Sequence, residues 1–353
     1  MLSLTENSSP KPIGFAILGA GMVADYHRQA IEANAGGGAR LVAVGHYNPD
    51  RFADISAKFG VPCLTQEQLL ANPKIDVVCI CTPSGQHAAQ TIAAAQAGKH
   101  VLVEKPMALT LADADAMIAA CEQAGVKLGV LLQRRAEPLF AQVFRAIRAG
   151  DLGDLTLGLV TIPYQRPQAY YDQADWRGTW ALDGGGVLMN QGIHLVDLLV
   201  WYMGDPVQVH AHADTLHRAI EVEDTLAATL RFNNGALATI TATTANSPGF
   251  PHRVELYGTT GGIQIEGESV TRWNLTDPNA AAVSPPAVGH QAARTGAGGD
   301  PRGIAATGHI AIFKDFIEAL REERSPQIDG AQGRRSLAAV LAIYRAAGLL
   351  NLK

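Results

Sequence analysis

Short apolar segments alternate with helical patterns through the first 130 or so residues of the chain. The apolar segments are almost uninterrupted runs of aliphatic residues, which is typical of strands buried on both faces. They are Ile13–Leu18, Arg40–Val44, Ile75–Cys81, Val101–Val103 and Lys127–Leu132. Helical patterns lie between them at about 66–71, 87–97 and 111–124. Alternation of this kind predicts an α/β fold with a parallel, doubly wound sheet.

The hydrophobic pattern changes after about residue 133. A helical pattern at Pro138–Ala149 precedes an alternating strand at Thr156–Ile162. Further β-type runs follow at Val207–Ala213, Thr225–Phe232, Ala236–Thr244 and Arg253–Tyr257. Asn234-Gly235, between two of these runs, is a strong hairpin signal. We therefore expect two domains, a parallel-sheet domain over 12–133 and an α+β domain with a large, mainly antiparallel sheet over 134–353.

The last part of the chain combines a long loop with two helices. Residues 279–306 are rich in Ala, Gly and Pro, a composition typical of loops. Long loops in compact domains are often functional, so this one could cover a binding site. Amphipathic helices are predicted after it, at about His309–Glu322 and Gly333–Leu350.

Composition narrows the class of protein. The 353 residues are 47% hydrophobic and 17% charged, with a formal net charge of −5. Such a chain can bury a large core, and the lack of a basic block argues against nucleic acid as a partner. The four cysteines form no Cys-x-x-Cys pair and are expected to be buried thiols in a reducing compartment. The first twelve residues lack the apolar core of a signal peptide, and no later run approaches membrane-spanning length. We therefore expect a cytoplasmic protein with no membrane partner.

The first strand leads directly into Gly19-Ala20-Gly21-Met22-Val23-Ala24 and then a helical pattern. This is a G-x-G-x-x-A sequence between a strand and a helix. Gly19 permits a tight turn, Gly21 lets a pyrophosphate approach the backbone, and Ala24 allows close helix packing. The free N–H groups of the helix would bind the phosphates. The sequence thus predicts a Rossmann-type dinucleotide site, with Gly19, Gly21, Met22 and Val23 in contact with the cofactor.

The end of the second strand bears on the choice of coenzyme. An NAD site usually has Asp or Glu about twenty residues after the glycines, where the carboxylate holds the ribose hydroxyls. This chain has His46 there, followed by Asn48 and Arg51. No carboxylate repels a 2′-phosphate and Arg51 could approach one, whereas His46 and Asn48 could hydrogen-bond an unphosphorylated ribose. The sequence therefore leaves the coenzyme as NAD or NADP.

Two later strand ends add polar groups to the same edge of the sheet. Thr82, Pro83, Ser84 and His87 follow the strand at Ile75–Cys81 and are expected to contact the nicotinamide ribose, although His87 could instead cap the next helix. Glu104-Lys105-Pro106 follows Val101–Val103, and the proline ends the strand because it lacks a donor. Ligands of such sheets bind beyond the carboxyl ends of the strands. We therefore expect Glu104 and Lys105 in the cofactor cleft rather than simply solvating a strand end.

A polar stripe follows the glycine-rich segment Asp183-Gly184-Gly185-Gly186. The next helix is apolar except at positions such as Asn190, His194 and Asp197, which fall at i, i+4 and i+7 and so on one face. Buried polar groups are costly unless they are satisfied. A structural histidine bonded to Asp197 is one explanation. The cofactor motif and the cleft lysine favour another, in which Asn190 and His194 belong to an active site.

Polar and aromatic residues, most of them in the second half, could form the rim of a sugar site. The candidates share hydrogen-bonding side chains, and they are Gln133, Arg134, Asp175, Trp176, Arg177, Asp183, His217 and His309. Trp176 and Trp180 could stack on a sugar ring or pack in the core. His210 and His212 lie two apart on a strand, but a pair of histidines without nearby cysteines is too few for zinc. No metal is expected.

Taken together, these motifs resemble the glucose–fructose oxidoreductase / inositol dehydrogenase family, often written Gfo/Idh/MocA. The resemblance spans nearly the whole chain and rests on Gly19–Ala24, Glu104-Lys105-Pro106, Asn190 with His194, and Glu223-Asp224. It implies that Lys105 contacts the reacting hydroxyl and that His194 donates or accepts its proton. Many members have aspartate at the position of Asn190, which here becomes a hydrogen-bonding residue that positions the sugar. The resemblance also implies a homodimer or homotetramer built through the C-terminal sheet.

The leading hypothesis is an NAD(P)-dependent enzyme that transfers a hydride between nicotinamide and a secondary hydroxyl or ketone. Its substrate would be a sugar, a sugar derivative or a cyclitol. A histidine with a pKa of about 6.5 exchanges protons near neutrality, and an ammonium stabilises a developing alkoxide. Two alternatives stay open: an NAD-dependent glycosidase that uses transient oxidation, and a non-catalytic sensor of dinucleotide or sugar. The sugar, the carbon oxidised and the direction of reaction are also left open.

Overall fold

The first of two sheets is built from the N-terminal third of the chain. The computed structural model describes residues 12–284 and 305–351. Strands β1 to β6 are, in chain order, Ile13–Leu18, Ala39–Gly45, Cys63–Leu64, Val77–Ile80, His100–Val103 and Leu128–Val130. They pair in parallel in the order β3-β2-β1-β4-β5-β6. Helices α1 to α6 are Met22–Ala33, Phe52–Phe59, Gln66–Leu70, His87–Gln96, Leu111–Gln123 and Pro138–Ala149. The strand order reverses between β1 and β4, which is where such sheets bind ligands.

The second sheet has seven strands. Strands β7 to β13 are Leu155–Pro163, Pro206–Asp214, Thr225–Phe232, Leu237–Thr243, Arg253–Gly258, Gly261–Glu266 and Ser269–Leu275. They lie in the order β13-β12-β11-β7-β10-β9-β8. The central pair, β7 and β10, is parallel, and the other pairs are antiparallel. Helices α7 to α10 are Gln168–Tyr171, Ile193–Met203, Thr307–Arg321 and Gly330–Ala346.

The expected fold class is confirmed. The first sheet is parallel with helices around it, the second is mainly antiparallel, and the hairpin at Asn234-Gly235 joins β9 to β10. Three strands were not predicted from the sequence, namely β3, β12 and β13, of which β3 has two residues and β13 lies at a sheet edge. No helix of the described residues is both long enough and apolar enough to cross a membrane.

The C-terminal helices return to the first sheet. Helix α9 packs against α1, and the Phe313 ring lies 5.6 Å from that of Phe15 on β1. Helix α10 contacts α5 and β6 on one side and α8 and β8 on the other. A division of the chain at residue 133 therefore stays a prediction, because 307–346 touch both halves. The predicted loop at 279–306 lies mostly outside the described residues.

The helix expected to carry the polar stripe does not begin as an α-helix. Residues Val187–Gly192 form a π-helical segment, and α8 continues from Ile193. The wider π-turn changes the angular spacing of the side chains. Asn190 and His194 reach the cleft described below, whereas Asp197 faces a buried arginine. Asp197 therefore does not reach the cleft, and the predicted common face of the three residues stays a prediction.

Asp197 holds the short turn Gln133–Ala136 against α8. Its carboxylate accepts hydrogen bonds from the Arg135 guanidinium, with Nη2 at 2.6 Å and Nε at 2.9 Å, and from the Ser336 hydroxyl. Both members of the ion pair are almost completely buried. Burial raises the pKa of Asp197, and Arg135 and Ser336 partly offset the rise. Gln133 lies two residues before Arg135 on this turn, and His194 lies one helical turn before Asp197. The ion pair therefore fixes the position of Gln133 relative to His194.

Removing the Asp197 carboxylate leaves the Arg135 guanidinium buried without its partner. We expect Asp197→Ala to lower the free energy of unfolding by about 3–5 kcal/mol, because a lone buried charge is strongly destabilising. Urea titration followed by circular dichroism measures the change. The control is Asp205→Ala, whose exposed pair with Arg335 should contribute less than about 1 kcal/mol. Equal losses for the two variants would contradict this account of the buried pair.

Candidate active site

A cleft of about 1080 Å³ lies along the carboxyl edge of the first sheet, where the strand order reverses. Loops after β1, β2, β4 and β5 form one wall. The Gln133 turn, the segment from Tyr164 to Arg177 and the helical region with Asn190 and His194 form the other. Residues from both halves of the chain therefore face one space.

The glycine-rich turn after β1 fits a dinucleotide. Gly19 has φ +104°, and a Cβ there would lie 2.6 Å from the Cys81 carbonyl oxygen, so only glycine is accommodated. Gly21 is the N-cap of α1 and has open space on its Cβ side. No side chain caps the helix, so its first N–H groups remain available to a phosphate. Gly19, Gly21, Met22 and Val23 all line the cleft, as predicted.

The end of the cleft beside β2 lacks an acidic group. His46, Tyr47, Arg51 and Gln66 line it there. Among the described residues, the acidic side chains that line any part of the cleft are Glu104 and Asp175. This end is therefore compatible with a 2′-phosphate as well as with a free ribose hydroxyl.

Asn48 does not line the cleft. Its side-chain oxygen accepts a hydrogen bond from the Asp50 N–H, and its own N–H donates to His46 Nδ1. In the turn after β2, Asn48 orients the His46 ring, and its contact with the ribose stays a prediction.

Thr82, Pro83, Ser84 and His87 all line the cleft in the loop after β4. His87 lies between two strand-end loops, with Nδ1 2.8 Å from the Pro106 carbonyl oxygen and Nε2 2.9 Å from that of Thr82. It does not cap α4, whose N-cap residue is Gln86. The imidazole therefore ties the loop after β4 to the loop after β5.

Glu104 is a buried carboxylate below the cleft. His27 Nε2 lies 2.9 Å and His309 Nε2 3.5 Å from its Oε1. Burial favours the neutral acid, but the hydrogen bonds and charges of the two histidines outweigh it and hold the pKa of Glu104 well below 4.5. The carboxylate is thus ionised and placed directly before Lys105 in the chain. These three side chains are close enough to ligate a metal, yet their contacts are those of hydrogen-bonded pairs.

Lys105 crosses from the first sheet to the second half of the chain. Its ammonium donates a hydrogen bond of 2.7 Å to the carbonyl oxygen of Asn190. Burial lowers the pKa of Lys105, while the negative charges of Glu104 and Asp183 act against the decrease. The ammonium is therefore held in the cleft by a backbone acceptor and by two nearby carboxylates.

His194 is neutral in this arrangement. Burial, followed by the positive charges of Lys105 and Arg134, lowers the pKa of its imidazole well below 6.5. Gln133 Nε2 lies 3.5 Å from His194 Nε2, where a neutral ring can accept an amide N–H. The ring does not bond to Asp197, so the purely structural explanation for this histidine is not supported. A neutral imidazole at the cleft wall can accept a proton from a ligand.

Asn190 is fixed by Asp183. Its side-chain Nδ2 donates a hydrogen bond of 2.7 Å to Asp183 Oδ1, and Asp183 Oδ2 accepts one of 2.9 Å from the Gly178 N–H. Burial raises the pKa of Asp183 to about 6, although these donors and Lys105 favour its ionised form. Asp183 itself does not line the cleft and acts through Asn190.

Two family models match the chain. The model described as "Oxidoreductase family, NAD-binding Rossmann fold" matches residues 13–132, and the "GFO/IDH/MocA C-terminal domain" matches residues 140–264. The chain belongs to the GFO/IDH/MocA oxidoreductase family. It is therefore an NAD(P)-dependent oxidoreductase, and the resemblance noted in the sequence is confirmed.

Relatives of this GFO/IDH/MocA chain cover most of its length. The WlbA dehydrogenase of Bordetella pertussis, solved with NADH and UDP-GlcNAcA, is 34% identical, with a TM-score of 0.84 over 96% of this chain and 97% of that one. D-apiose dehydrogenase of Paraburkholderia graminis is 28% identical over 88% of this chain and 81% of its own length. Inositol 2-dehydrogenase of Rhizobium meliloti is 30% identical over 72% of this chain and 76% of its own length.

The structure separates the remaining predicted rim residues into two groups. Those that line the cleft of this GFO/IDH/MocA chain are Gln133, Asp175, Trp176, Arg177 and His309. Arg134 does not, because its guanidinium bonds to Glu268, 3.0 Å away, and lies over the Phe140 ring. His217 is exposed, and its backbone N–H bonds to Asp224. The Trp180 indole N–H donates to the Glu221 carbonyl oxygen, and its ring packs against Tyr344.

Several residues that line the cleft were not named from the sequence. Tyr26 comes from α1, where its ring stacks on His309 at 5.3 Å. Tyr164, Arg166 and Tyr170 come from the aromatic loop after β7. The aromatic and polar composition of that loop was the available signal. No local pattern pointed to Tyr26.

The missing carboxylate at the end of β2 leads to a prediction about coenzyme choice. His46→Asp should lower the ratio of kcat/KM with NADP to kcat/KM with NAD at least about tenfold, since a carboxylate there repels a 2′-phosphate and binds ribose hydroxyls. Steady-state kinetics with both coenzymes measures the ratio. His46→Asn, which changes size without adding charge, is the control and should keep the wild-type ratio. An unchanged ratio in His46→Asp would show that this end of the cleft does not contact the ribose.

Proposed function

We propose that this oxidoreductase transfers a hydride between nicotinamide and a secondary hydroxyl or ketone of a sugar, a sugar derivative or a cyclitol. Its relatives D-apiose dehydrogenase and inositol 2-dehydrogenase support this substrate class. We further propose that Lys105 and His194 are its acid/base pair and that Asn190 positions the substrate.

One observation carries the proposal for the pair. Lys105 comes from the end of β5 and His194 from α8, yet both line the same cleft. The Lys105 ammonium donates a hydrogen bond to the carbonyl oxygen of Asn190. Asn190 lies one helical turn before His194. A cation and a neutral imidazole thus line one cleft, which supports the proposal that they act on one hydroxyl group.

In the direction of oxidation, the proposed reaction removes a proton and a hydride from the substrate. The hydroxyl group takes the place of the 3.5 Å contact between the Gln133 amide and His194 Nε2, and its proton passes to that nitrogen. The ammonium of Lys105 stabilises the negative charge that develops on the oxygen. The bound nicotinamide supplies the acceptor for the hydride that leaves the carbinol carbon. The low pKa of His194 keeps its imidazole free to accept the proton at neutral pH. In reduction, the same groups act in reverse.

Substitution of either member of the pair should reduce turnover strongly. We expect Lys105→Met to lower kcat about 10²–10³-fold through loss of charge stabilisation. We expect His194→Asn to lower it about 10²–10⁴-fold through loss of the proton acceptor. The assay is formation of reduced coenzyme with a panel that includes D-apiose and inositol, with Lys314→Met, an exposed lysine on α9, as the control. Wild-type turnover in both variants would refute the pair.

The pH profile of oxidation gives a second measure of the same pair. Oxidation needs neutral His194 and charged Lys105, so kcat/KM should fall on the acid side as His194 is protonated, well below pH 6.5. It should fall on the alkaline side, below pH 10.5, as Lys105 loses its proton. Protonation of Asp183 near pH 6 would add a second acid limb. On the acid side, His194→Asn should keep only the Asp183 limb, while its alkaline limb remains. Lys105→Met should lose the alkaline limb.

The glycosidase and sensor alternatives differ from this proposal in their products. A glycosidase that uses transient oxidation would cleave a glycoside without net accumulation of reduced coenzyme, and a sensor would show no turnover. Net formation of reduced coenzyme with a free sugar or cyclitol therefore supports the dehydrogenase. Chromatography of the same reactions detects glycoside cleavage.

We also propose that the chain assembles through its second sheet as a homodimer or homotetramer. One face of β7, β9 and β10 is buried, and the opposite face leaves side chains such as Ala227, Thr229 and Thr241 exposed in the single chain. These small side chains form an even, weakly polar surface that could stack on a copy of itself.

A charge on that surface should prevent assembly. We expect Thr241→Lys to reduce the mass measured by size-exclusion chromatography with light scattering to that of the monomer, because an ammonium would be buried without a partner. Gln96→Lys, on the exposed end of α4, should keep the wild-type mass. A monomeric wild-type protein would overturn the proposal.

A further inference from the structure

Arg177 lies in a tightly fixed turn at the wall of the cleft. Its backbone N–H donates to the Ala174 carbonyl oxygen at 3.0 Å. The next residue, Gly178, has φ +69° and donates its N–H to Asp183. A Cβ at Gly178 would lie 2.8 Å from Ile220, so the turn has little freedom to change. The side chain of Arg177 therefore leaves the backbone in a defined direction, toward the cleft that it lines.

Two aromatic rings hold the Arg177 guanidinium. Its Cζ lies 4.3 Å from the centroid of the Tyr170 ring and 4.7 Å from that of Trp176. Such contacts stabilise the cation through the ring faces and leave the N–H groups at the edge of the guanidinium unused. Within the described residues no acceptor bonds to its buried Nε, and no carboxylate lies within ion-pair distance. The structure thus presents a pre-positioned guanidinium without a protein anion.

The acids near Arg177 are already engaged or solvated. Of the two acidic side chains that line the cleft, Glu104 is engaged by His27 and His309, and Asp175 is exposed to solvent. Behind the wall, Asp183 is engaged by Asn190 and Gly178. None of these three carboxylates forms an ion pair with the Arg177 guanidinium.

We propose that Arg177 binds a negatively charged group of the sugar substrate, a carboxylate or a phosphate. This inference rests on the proposed function, because the ligand is the molecule oxidised beside Lys105 and His194. Two oxygens of one anion can accept the paired N–H groups of a guanidinium, and the resulting charge-assisted bonds are about twice as strong as neutral ones. A neutral hydroxyl would satisfy one N–H and leave the positive charge uncompensated.

Matched sugars that differ at C6, where one member carries an anionic group and the other a neutral hydroxymethyl group, test the proposal. The probes are D-glucuronate against D-glucose, D-galacturonate against D-galactose, UDP-glucuronate against UDP-glucose, and D-glucose 6-phosphate for the phosphate arm. We expect wild-type kcat/KM to favour at least one charged member about tenfold or more, mostly through KM. Arg177→Gln should abolish this preference, measured as the ratio of kcat/KM for the two members of each pair. Arg177→Lys, which keeps the positive charge but not the paired N–H donors of the guanidinium, should retain part of the preference for the charged sugar. Arg145→Gln, an exposed arginine on α6, is the control.

The outcomes distinguish a failure of the Arg177 proposal from a failure of the proposed enzyme function. Equal use of charged and neutral sugars by the wild type, or a preference that survives in Arg177→Gln, would overturn the role of Arg177 and leave the dehydrogenase intact. If no sugar is oxidised, the proposed function fails. Ligand binding, measured without turnover, then shows whether Arg177 binds an anion. A rise in melting temperature with D-glucuronate in the presence of NAD, lost in Arg177→Gln, supports the site, and no rise for any charged probe removes it.

Discussion

The hydrogen bond from the Lys105 ammonium to the Asn190 carbonyl oxygen is the contact on which the site depends. It joins the end of a buried parallel strand to a π-helical segment 85 residues later. The positive charge of Lys105 comes from the first half of the chain. The acceptor, the carbonyl oxygen of Asn190, comes from the second half and lies in the turn that precedes His194. Because a buried ammonium without an acceptor is costly, this bond favours a fixed position of the two walls of the cleft.

Buried acids on either side of Lys105 set the electrostatics of the cleft. Glu104 is kept ionised by two histidines, whereas Asp183 has a pKa near 6 and changes its charge close to neutrality. The first therefore provides a constant field under the ammonium. The second controls the amide of Asn190 in a manner that depends on pH. The same chemical group serves two purposes because its surroundings differ.

Sequence reasoning located the fold and the main elements of the site because these depend on local patterns. The glycine turn, the apolar strands and the motif Glu104-Lys105-Pro106 are contiguous in the chain, and their positions follow from turn chemistry and from strand topology. The ion pairs of Asp197 and Arg134 were not predicted for the opposite reason. Asp197 pairs with Arg135 62 residues earlier, and Arg134 pairs with Glu268 134 residues later. No period in the sequence contains such pairings.

The return of α9 to the first sheet has a consequence for how the chain can be divided. His309, which lies against Glu104 and stacks on Tyr26, is encoded more than 170 residues after the parallel sheet is complete. A recombinant fragment cut at the end of that sheet would lack the α9 residues that cover its core, including Phe313 and Phe316. It would also lack one of the two imidazoles beside the Glu104 carboxylate. Exchange of nucleotide-binding modules between members of this family would therefore have to transplant two separate stretches of gene, one from the beginning and one from near the end.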